Sequence, residues 1–417
     1  MTSLGKNGRT AADVIADLKA KQHSDVRWAD GRTFGMIYNG GPSVDAVASE
    51  AAEMFLHHNA LNTKAFPSLG QIQSEVVRWT ADLLTGPEDA AGFLTSGGTE
   101  SILCAVVAAR EWGLAEKGIS APEMIVAQSA HAAFHKAAHL FGIKLHSTPV
   151  TADWTADVGA MAEAINDNTV LVVASAPQYP QGVVDDVAAI AALAVQTNIW
   201  CHVDACMGGF ILPFAEMLGR PIEPWDFRLD GVKSISADIH KLGYAPKGVS
   251  VIVHRSKELR RHQTFVFDDW LGGFYASPNL QGSRSGLPMA AAWAVMQHLG
   301  IDGYVDLTKT VLDNADTMRS GITAIDGIQV LGDSRFHLVA IASEPSEPTP
   351  VDIFALGDAL AAKGWYHDRQ TPPDSLHSTV SNSNTGLIDD YLSDLAVCVE
   401  QVRGSSTDDR STDYSTL

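Results

Sequence analysis

SISADIHKLGYAPKGVSV, residues 234–251, reads as the end of one strand, a loop carrying His240-Lys241, and the start of another strand. A β-like run over 231–235 gives way to polar residues, then the lysine, then a Gly-containing turn and a second apolar run over 249–253. In α/β proteins, reactive groups sit at strand ends and in the loops that follow them. A lysine in that position, after a histidine and before glycines, is a candidate Schiff-base nucleophile. The plain alternative is a surface lysine in a turn, the usual place for this residue.

Two other stretches decide between those readings. TSGGTES, residues 95–101, lies between an apolar run and a helix-like segment, so its glycines open a helix. Backbone N–H groups there can approach an anion, aided by the helix dipole, and Thr99 and Ser101 add hydroxyls. A plain capped helix start is the competing reading. IWCHVDAC, residues 199–206, is an apolar strand ending at Asp204. A carboxylate there can hold a protonated ring nitrogen, or simply cap a turn. Taken together, phosphate turn, carboxylate and lysine are what pyridoxal 5'-phosphate requires. They assign Gly98 and Thr99 to the phosphate, Asp204 to the pyridine nitrogen and Lys241 to the aldehyde.

From Gly92 onward, helix-like runs (101–116, 132–141, 158–166, 187–196) alternate with short apolar runs (124–127, 140–146, 170–174, 200–203, 232–236, 249–253). Such alternation predicts an α/β fold, a mostly parallel sheet with helices on both faces. The expected organisation is an N-terminal arm with helices (1–60) and a large cofactor-binding domain (61–299). A smaller α+β domain (300–402) and a disordered tail (403–417), almost free of apolar residues, follow.

The chain has 417 residues, 46% hydrophobic and 19% charged, with a net charge of −20. That length supports more than one domain. The acidity argues against nucleic acid, whose phosphates call for a basic face. Four cysteines without metal-type spacing suggest reduced thiols in a cytoplasm. The polar N-terminus and the lack of a long apolar run predict no integral membrane segment. His131, His135 and His139 recur at helical spacing, but no carboxylate or cysteine joins them, so no metal site is assigned.

TSGGTES, SAHAAFHKAAHLFG, HVDACMGGF and SADIHKLGYAPKG together resemble the sphingosine-1-phosphate lyase family, fold-type I enzymes of the group II decarboxylase superfamily. The resemblance runs from about Gly35 to about Pro373. It implies a lyase that cleaves a phosphorylated amino alcohol to a fatty aldehyde and phosphoethanolamine, with an amino-acid decarboxylase as the alternative. It implies that His131 stacks on the cofactor ring and that His240 touches the phosphate. Gln178, just after a strand end, is placed to approach the cofactor or the substrate. Tyr244 and Tyr38 match family tyrosines near the substrate, and Lys64 and Arg284 become candidate contacts for the substrate phosphate. Gly282 and Ser283 belong to a loop that reaches the neighbouring subunit's site, so a homodimer with shared sites is expected. Eukaryotic members carry an N-terminal membrane anchor that this chain is expected to lack. Asn62 stands where the family has a histidine, Ile239 where it has threonine and Ser285 where it has proline. These departures touch the substrate's polar contacts and leave the cofactor residues intact.

Overall fold

The computed structural model describes residues 4–345 and 349–412. Helices α1 (Ala11–Lys21), α2 (Pro42–Met54) and α3 (Pro67–Leu83) precede an alternating series: β1 (Ala91–Thr95), α4 (Gly98–Lys117), β2 (Glu123–Ala127), α5 (Ala133–Phe141) and β3 (Lys144–Thr148). It continues with α6 (Val158–Ala164), β4 (Thr169–Ser175), α7 (Val187–Thr197), β5 (Trp200–Ala205), α8 (Leu212–Met217), β6 (Val232–Ala237) and β7 (Ser250–His254). After α9 (Lys257–Arg261), a hairpin of β8 (Phe265–Phe267) and β9 (Tyr275–Ser277) leads into the long α10 (Gly286–Thr323). The chain ends with β10 (Ile328–Val330), β11 (Leu338–Ser343), α11 (Ile353–Ala362), β12 (Asp368–Gln370), β13 (Ser375–Thr379) and α12 (Ile388–Val402).

The main sheet has the order β1-β7-β6-β5-β4-β2-β3. β7 runs antiparallel to both of its neighbours, β1 and β6, and the remaining pairs are parallel. The carboxyl ends of β1, β5 and β6 therefore share one edge of the sheet, where the amino end of β7 also lies. The expected α/β class is what forms.

Both faces of the sheet are buried, and the strand period of two sorts its residues. Ile125, Val172, Cys201, Val203 and Ile235 face one apolar cluster. Met124, Leu171, Val173 and Trp200 face the other, with α4 and α5. His202 and Asp204 alternate with Cys201 and Val203, so they share Trp200's face.

A separate core forms around the four-stranded sheet β10-β11-β13-β12. The segment before α2 joins that core: Phe34 is fully buried in it, and Thr33 bridges Tyr366. The expected arm at 1–60 thus contributes its residues 33–34 to the small domain's packing. α10 bridges the two cores and breaks at Gly300 (φ 56°), next to the expected boundary at 299.

Three local expectations differ. The strand expected over 140–146 begins only at Lys144, because Leu140 and Phe141 close α5 and Gly142 (φ 64°) caps it in the left-handed region. β12, β13 and α12 lie where no element was expected. The tail expected to be disordered from 403 is placed as far as residue 412, where Arg410 forks onto Asp352 at 3.0 and 2.6 Å. Its last part, 413–417, lies outside the described residues.

Candidate active site

Three strand ends build the site. Asp204 sits in the last turn of β5, buried, with Oδ1 accepting from the backbone N–H of Cys206 (3.1 Å) and from the Ser236 hydroxyl (3.2 Å). Both bonds fall on Oδ1. Lys241 follows β6, its side chain 19% exposed and its Nζ 2.9 Å from Asp238 Oδ2. Asp238 is itself buried and accepts from the Ser250 hydroxyl at 2.6 Å. Burial opposes charge on both members of this pair. On the lysine the Asp238 carboxylate outweighs it and holds Lys241 as an ammonium. On the aspartate Lys241 and the Ser250 hydroxyl outweigh it and keep Asp238 ionised.

The turn after β1 supplies the third group. No side chain caps α4 at Gly97, so the first amides of the helix are open to an anion. A Cβ on Gly98 would lie 2.8 and 2.9 Å from the Asp238 oxygens and 2.9 Å from Cys206 Sγ, so this position admits only glycine without a shift. A Cβ on Gly97 would lie 3.3 Å from His240 Cε1. His240 Nδ1 is buried without a hydrogen-bond partner, beside that turn. His240 stays neutral, its pKa lowered to about 4 by burial against the opposing pull of Asp238. His131 lies just before α5, its Nδ1 accepting from Ala133 N at 3.1 Å. Burial lowers its pKa, while Asp204, Lys241 and Asp238 all act on its charge. Lys241, Asp204, Asp238, Cys206, His131 and the Gly97–Gly98 turn therefore form one cluster.

This cluster fits pyridoxal phosphate. An amine, a carboxylate at the end of β5, a glycine cradle at a helix start and an orphaned imidazole nitrogen beside that cradle meet the needs of aldehyde, ring nitrogen and phosphate.

Of the other predicted residues, Tyr38 lies close enough to act on the Lys241 charge, and the rest have contacts of their own. Tyr244 is buried in the left-handed region (φ 59°), an uncommon conformation for a non-glycine residue, next to Gly40 and stacked at 6.3 Å on Tyr304. Burial raises its pKa, so its hydroxyl stays protonated. Tyr38 lies under the ammonium of Lys247, 4.5 Å from the ring centre. Gln178 is committed to its own turn, donating to Gln181 Oε1 at 3.0 Å and accepting from Gln181 N at 2.8 Å. Asn62 is exposed, and its Oδ1 accepts from the N–H groups of Lys64 (2.9 Å) and Ala65 (3.3 Å), which fixes the loop. Lys64 is exposed. Gly282 and Ser283 are exposed on a loop tied to Asn59, with Asn59 Nδ2 donating to Ser283 Oγ at 3.2 Å. Arg284 turns inward and donates to Leu94 O at 3.0 Å and Gln73 Oε1 at 3.3 Å.

Asp238 and Lys247 were not singled out from sequence. Lys247 donates to His240 O at 3.0 Å, and burial of its ammonium, then the neighbouring Lys241 charge, lower its pKa to about 8. Part of its side chain still meets solvent. Its position six residues after Lys241, past the turn, was the available signal.

Residues 2–343 match the model of the pyridoxal-dependent decarboxylase conserved domain. Sphingosine-1-phosphate lyase 1 of Rattus norvegicus is 42% identical over 403 residues, covering 96% of this chain and 70% of the relative. The sphingosine-1-phosphate lyase of rice is 41% identical, with 94% and 73% covered. The solved structure of the Burkholderia pseudomallei sphingosine-1-phosphate lyase superposes with a TM-score of 0.92 at 39% identity, over 97% of this chain and 94% of that one. A glutamate decarboxylase from Lactobacillus brevis, at 21% identity and a TM-score of 0.84, shares the fold. By sequence, domain and structure, this chain belongs to the sphingosine-1-phosphate lyase family of pyridoxal-phosphate enzymes.

Proposed function

We propose that this chain cleaves a phosphorylated long-chain 2-amino alcohol to a fatty aldehyde and phosphoethanolamine, using pyridoxal 5'-phosphate. The observation that carries the proposal is the convergence of Lys241, Asp204 and the open Gly97–Gly98 turn on one edge of the sheet. Lys241 would hold the aldehyde, Asp204 the ring nitrogen, His131 the ring face, and the amides of Gly98 and Thr99 with His240 the phosphate. When bound, the cofactor takes up the electron pair released as the bond beside the amine-bearing carbon breaks.

The chain's own groups do the rest. Asp204, fixed through Oδ1, keeps the ring nitrogen protonated and the ring in one orientation. Tyr244 keeps its hydroxyl protonated, so toward a substrate it would serve as a hydrogen-bond donor and not as a base. Lys247, at the mouth, places a cation where a substrate phosphate enters an otherwise acidic protein. Overall, the substrate's C3 hydroxyl loses its proton, the C2–C3 bond breaks and C2 gains a proton.

A homodimer with shared sites belongs to the same proposal. Phe267, Trp270, Leu271 and Phe274, around the hairpin that leads into the Gly282–Arg284 loop, stand exposed, Leu271 entirely so. A cluster of that kind marks an interface. With Gly282 and Ser283 exposed beyond it, a second copy seated there would receive their loop. A cytoplasmic location is supported by four buried, unpaired cysteines. No helix among the described residues is long and apolar enough to cross a membrane.

The test is a product assay. The purified, cofactor-loaded protein is incubated with sphinganine 1-phosphate and, separately, with a panel of amino acids. Aldehyde and phosphoethanolamine in equal amounts are expected. Carbon dioxide from an amino acid, with no aldehyde, would replace the lyase with a decarboxylase.

A further inference from the structure

Behind Asp204, the sheet carries a row of polar side chains that the proposed reaction does not use. β5 and β6 pair in register, His202 opposite Ser234 and Asp204 opposite Ser236. All four are buried, on the face they share with Trp200. Trp200 Nε1 lies 2.8 Å from Ser234 Oγ, Ser234 Oγ 2.8 Å from His202 Nδ1, His202 Nε2 3.2 Å from Ser236 Oγ, and Ser236 Oγ 3.2 Å from Asp204 Oδ1.

The two ends of this row set the direction of the side-chain hydrogen bonds between them. An indole nitrogen only donates, and a carboxylate only accepts. Ser236 has one proton, and Asp204 Oδ1 accepts it. Ser236 must then accept from His202, so His202 carries its proton on Nε2. Nδ1 is left bare and accepts from the Ser234 hydroxyl, which in turn accepts from Trp200. Cys206 Sγ, 3.4 Å from Ser236 Oγ, supplies a second donor to that hydroxyl. With the opposite tautomer, Ser236 would spend its proton on His202 Nε2 and face Asp204 Oδ1 with lone pairs only. Burial also keeps His202 neutral, its pKa lowered to about 4 against the pull of Asp204 and of a hydrogen bond to the Ser234 backbone, the one acceptor that competes with this direction.

We infer that Trp200, Ser234, His202 and Ser236 form a one-way chain of donors that ends on Asp204 Oδ1 and fixes the carboxylate that meets the cofactor nitrogen. His202 is a positioning residue, acting through Ser236. The inference rests on the cofactor placement proposed above. Aligned hydrogen bonds in a low-dielectric interior polarise one another, so the last bond is stronger than a lone serine would give.

The decisive measurement needs no cofactor. Apo-protein labelled with ¹⁵N-histidine is compared with the same sample of His202→Gln to assign the ring. The chain requires a single Nε2–H tautomer at His202 around neutral pH. An Nδ1–H tautomer, a mixture or an imidazolium overturns it. A histidine that merely filled space would not need one tautomer.

A second readout follows the other end. Ser236→Ala removes the donor to Asp204, and a hydrogen bond to a charged group corresponds to a loss of about tenfold or more in pyridoxal phosphate affinity. Ser234→Ala, which leaves Ser236 in place, is expected to release the tautomer and to weaken affinity by less. Wild-type affinity in both variants, measured by the visible absorbance of bound cofactor, overturns the inference. Failure of the wild-type protein to bind pyridoxal phosphate would instead defeat the site assignment, and the apo-protein spectrum would still judge the chain.

Discussion

Replacing Asp238 by asparagine removes the charge that faces Lys241 and changes little else in volume. Asp238 is 2% exposed, and its partner is 2.9 Å away on a side chain 19% exposed, so solvent screens the pair weakly. One partner lost from a buried pair costs about 3–5 kcal/mol, and the partial exposure of Lys241 puts the loss near about 3 kcal/mol at neutral pH. For a chain of this length the entropy of unfolding is roughly 0.9 kcal/mol/K, so the apo-protein should melt about 3 °C lower. The sign of the pH dependence follows from the two pKa directions. Lys241 is raised in the folded wild type, so its contribution is present below about pH 10.4 and is lost only as pH rises through the folded value. Asp238 is lowered, so its contribution is present above about pH 3.9 and is lost as pH falls through the folded value. Both are therefore in force from about pH 4 to 10. In Asp238→Asn, burial acts on Lys241 without that carboxylate and lowers its pKa. The variant then gains stability as pH climbs toward about 10 and the amine sheds its proton. Urea unfolding of the two apo-proteins should show a gap widest near neutrality and narrowing toward high pH. A gap below about 1 kcal/mol at pH 7, or one that widens with pH, would refute a Lys241 held as ammonium by Asp238.

Two more predictions bear on the substrate side. Lys247, lowered to about 8, loses its charge as pH rises through that value, so KM for the phosphorylated substrate should climb above pH 8. Lys247→Arg, which cannot deprotonate in this range, should flatten that climb, and an unchanged profile would remove Lys247 from phosphate binding. Leu271→Asp puts a charge on the fully exposed tip of the hairpin. It should yield monomers in light scattering and lower turnover at least about tenfold if the partner completes the site, whereas an intact dimer would move the interface elsewhere.

How much of this was legible depends on what each residue's neighbours in sequence reveal. The alternation from Gly92 marks the sheet because each strand is a short apolar run punctuated by helix caps, and Lys241 and Asp204, the residues proposed to hold the cofactor, stand at the ends of such runs. Gly142 shows the limit: the apolar run Leu140-Phe141-Gly142-Ile143 spans a helix end and the approach to a strand, and composition alone does not divide it. β13, SLHST, is buried throughout but carries one aliphatic residue, so its periodicity was too weak to name it. α12 did carry a helical stripe, Ile388, Tyr391, Leu395, Cys398, Val399 and Val402, which packs against the second core.

The site residues missed from sequence divide along a physical line. Asp238 and Ser250 are twelve residues apart and meet because β7 runs antiparallel to β6, a pairing that no local pattern encodes. Lys247 matters through where its ammonium is placed, and the sequence shows only a lysine in a glycine turn. His202, Ser234 and Ser236 are different. They are polar residues at period two inside strands otherwise apolar enough to be buried on both faces, on the same face as Asp204 and one strand apart. A buried polar group persists where it is hydrogen-bonded, so polar residues recurring at that period in adjacent core strands predict a ladder between them. Here the ladder ends on the carboxylate assigned to the cofactor. Its start at an indole and its end at a carboxylate give it a direction that no single pair in it would have.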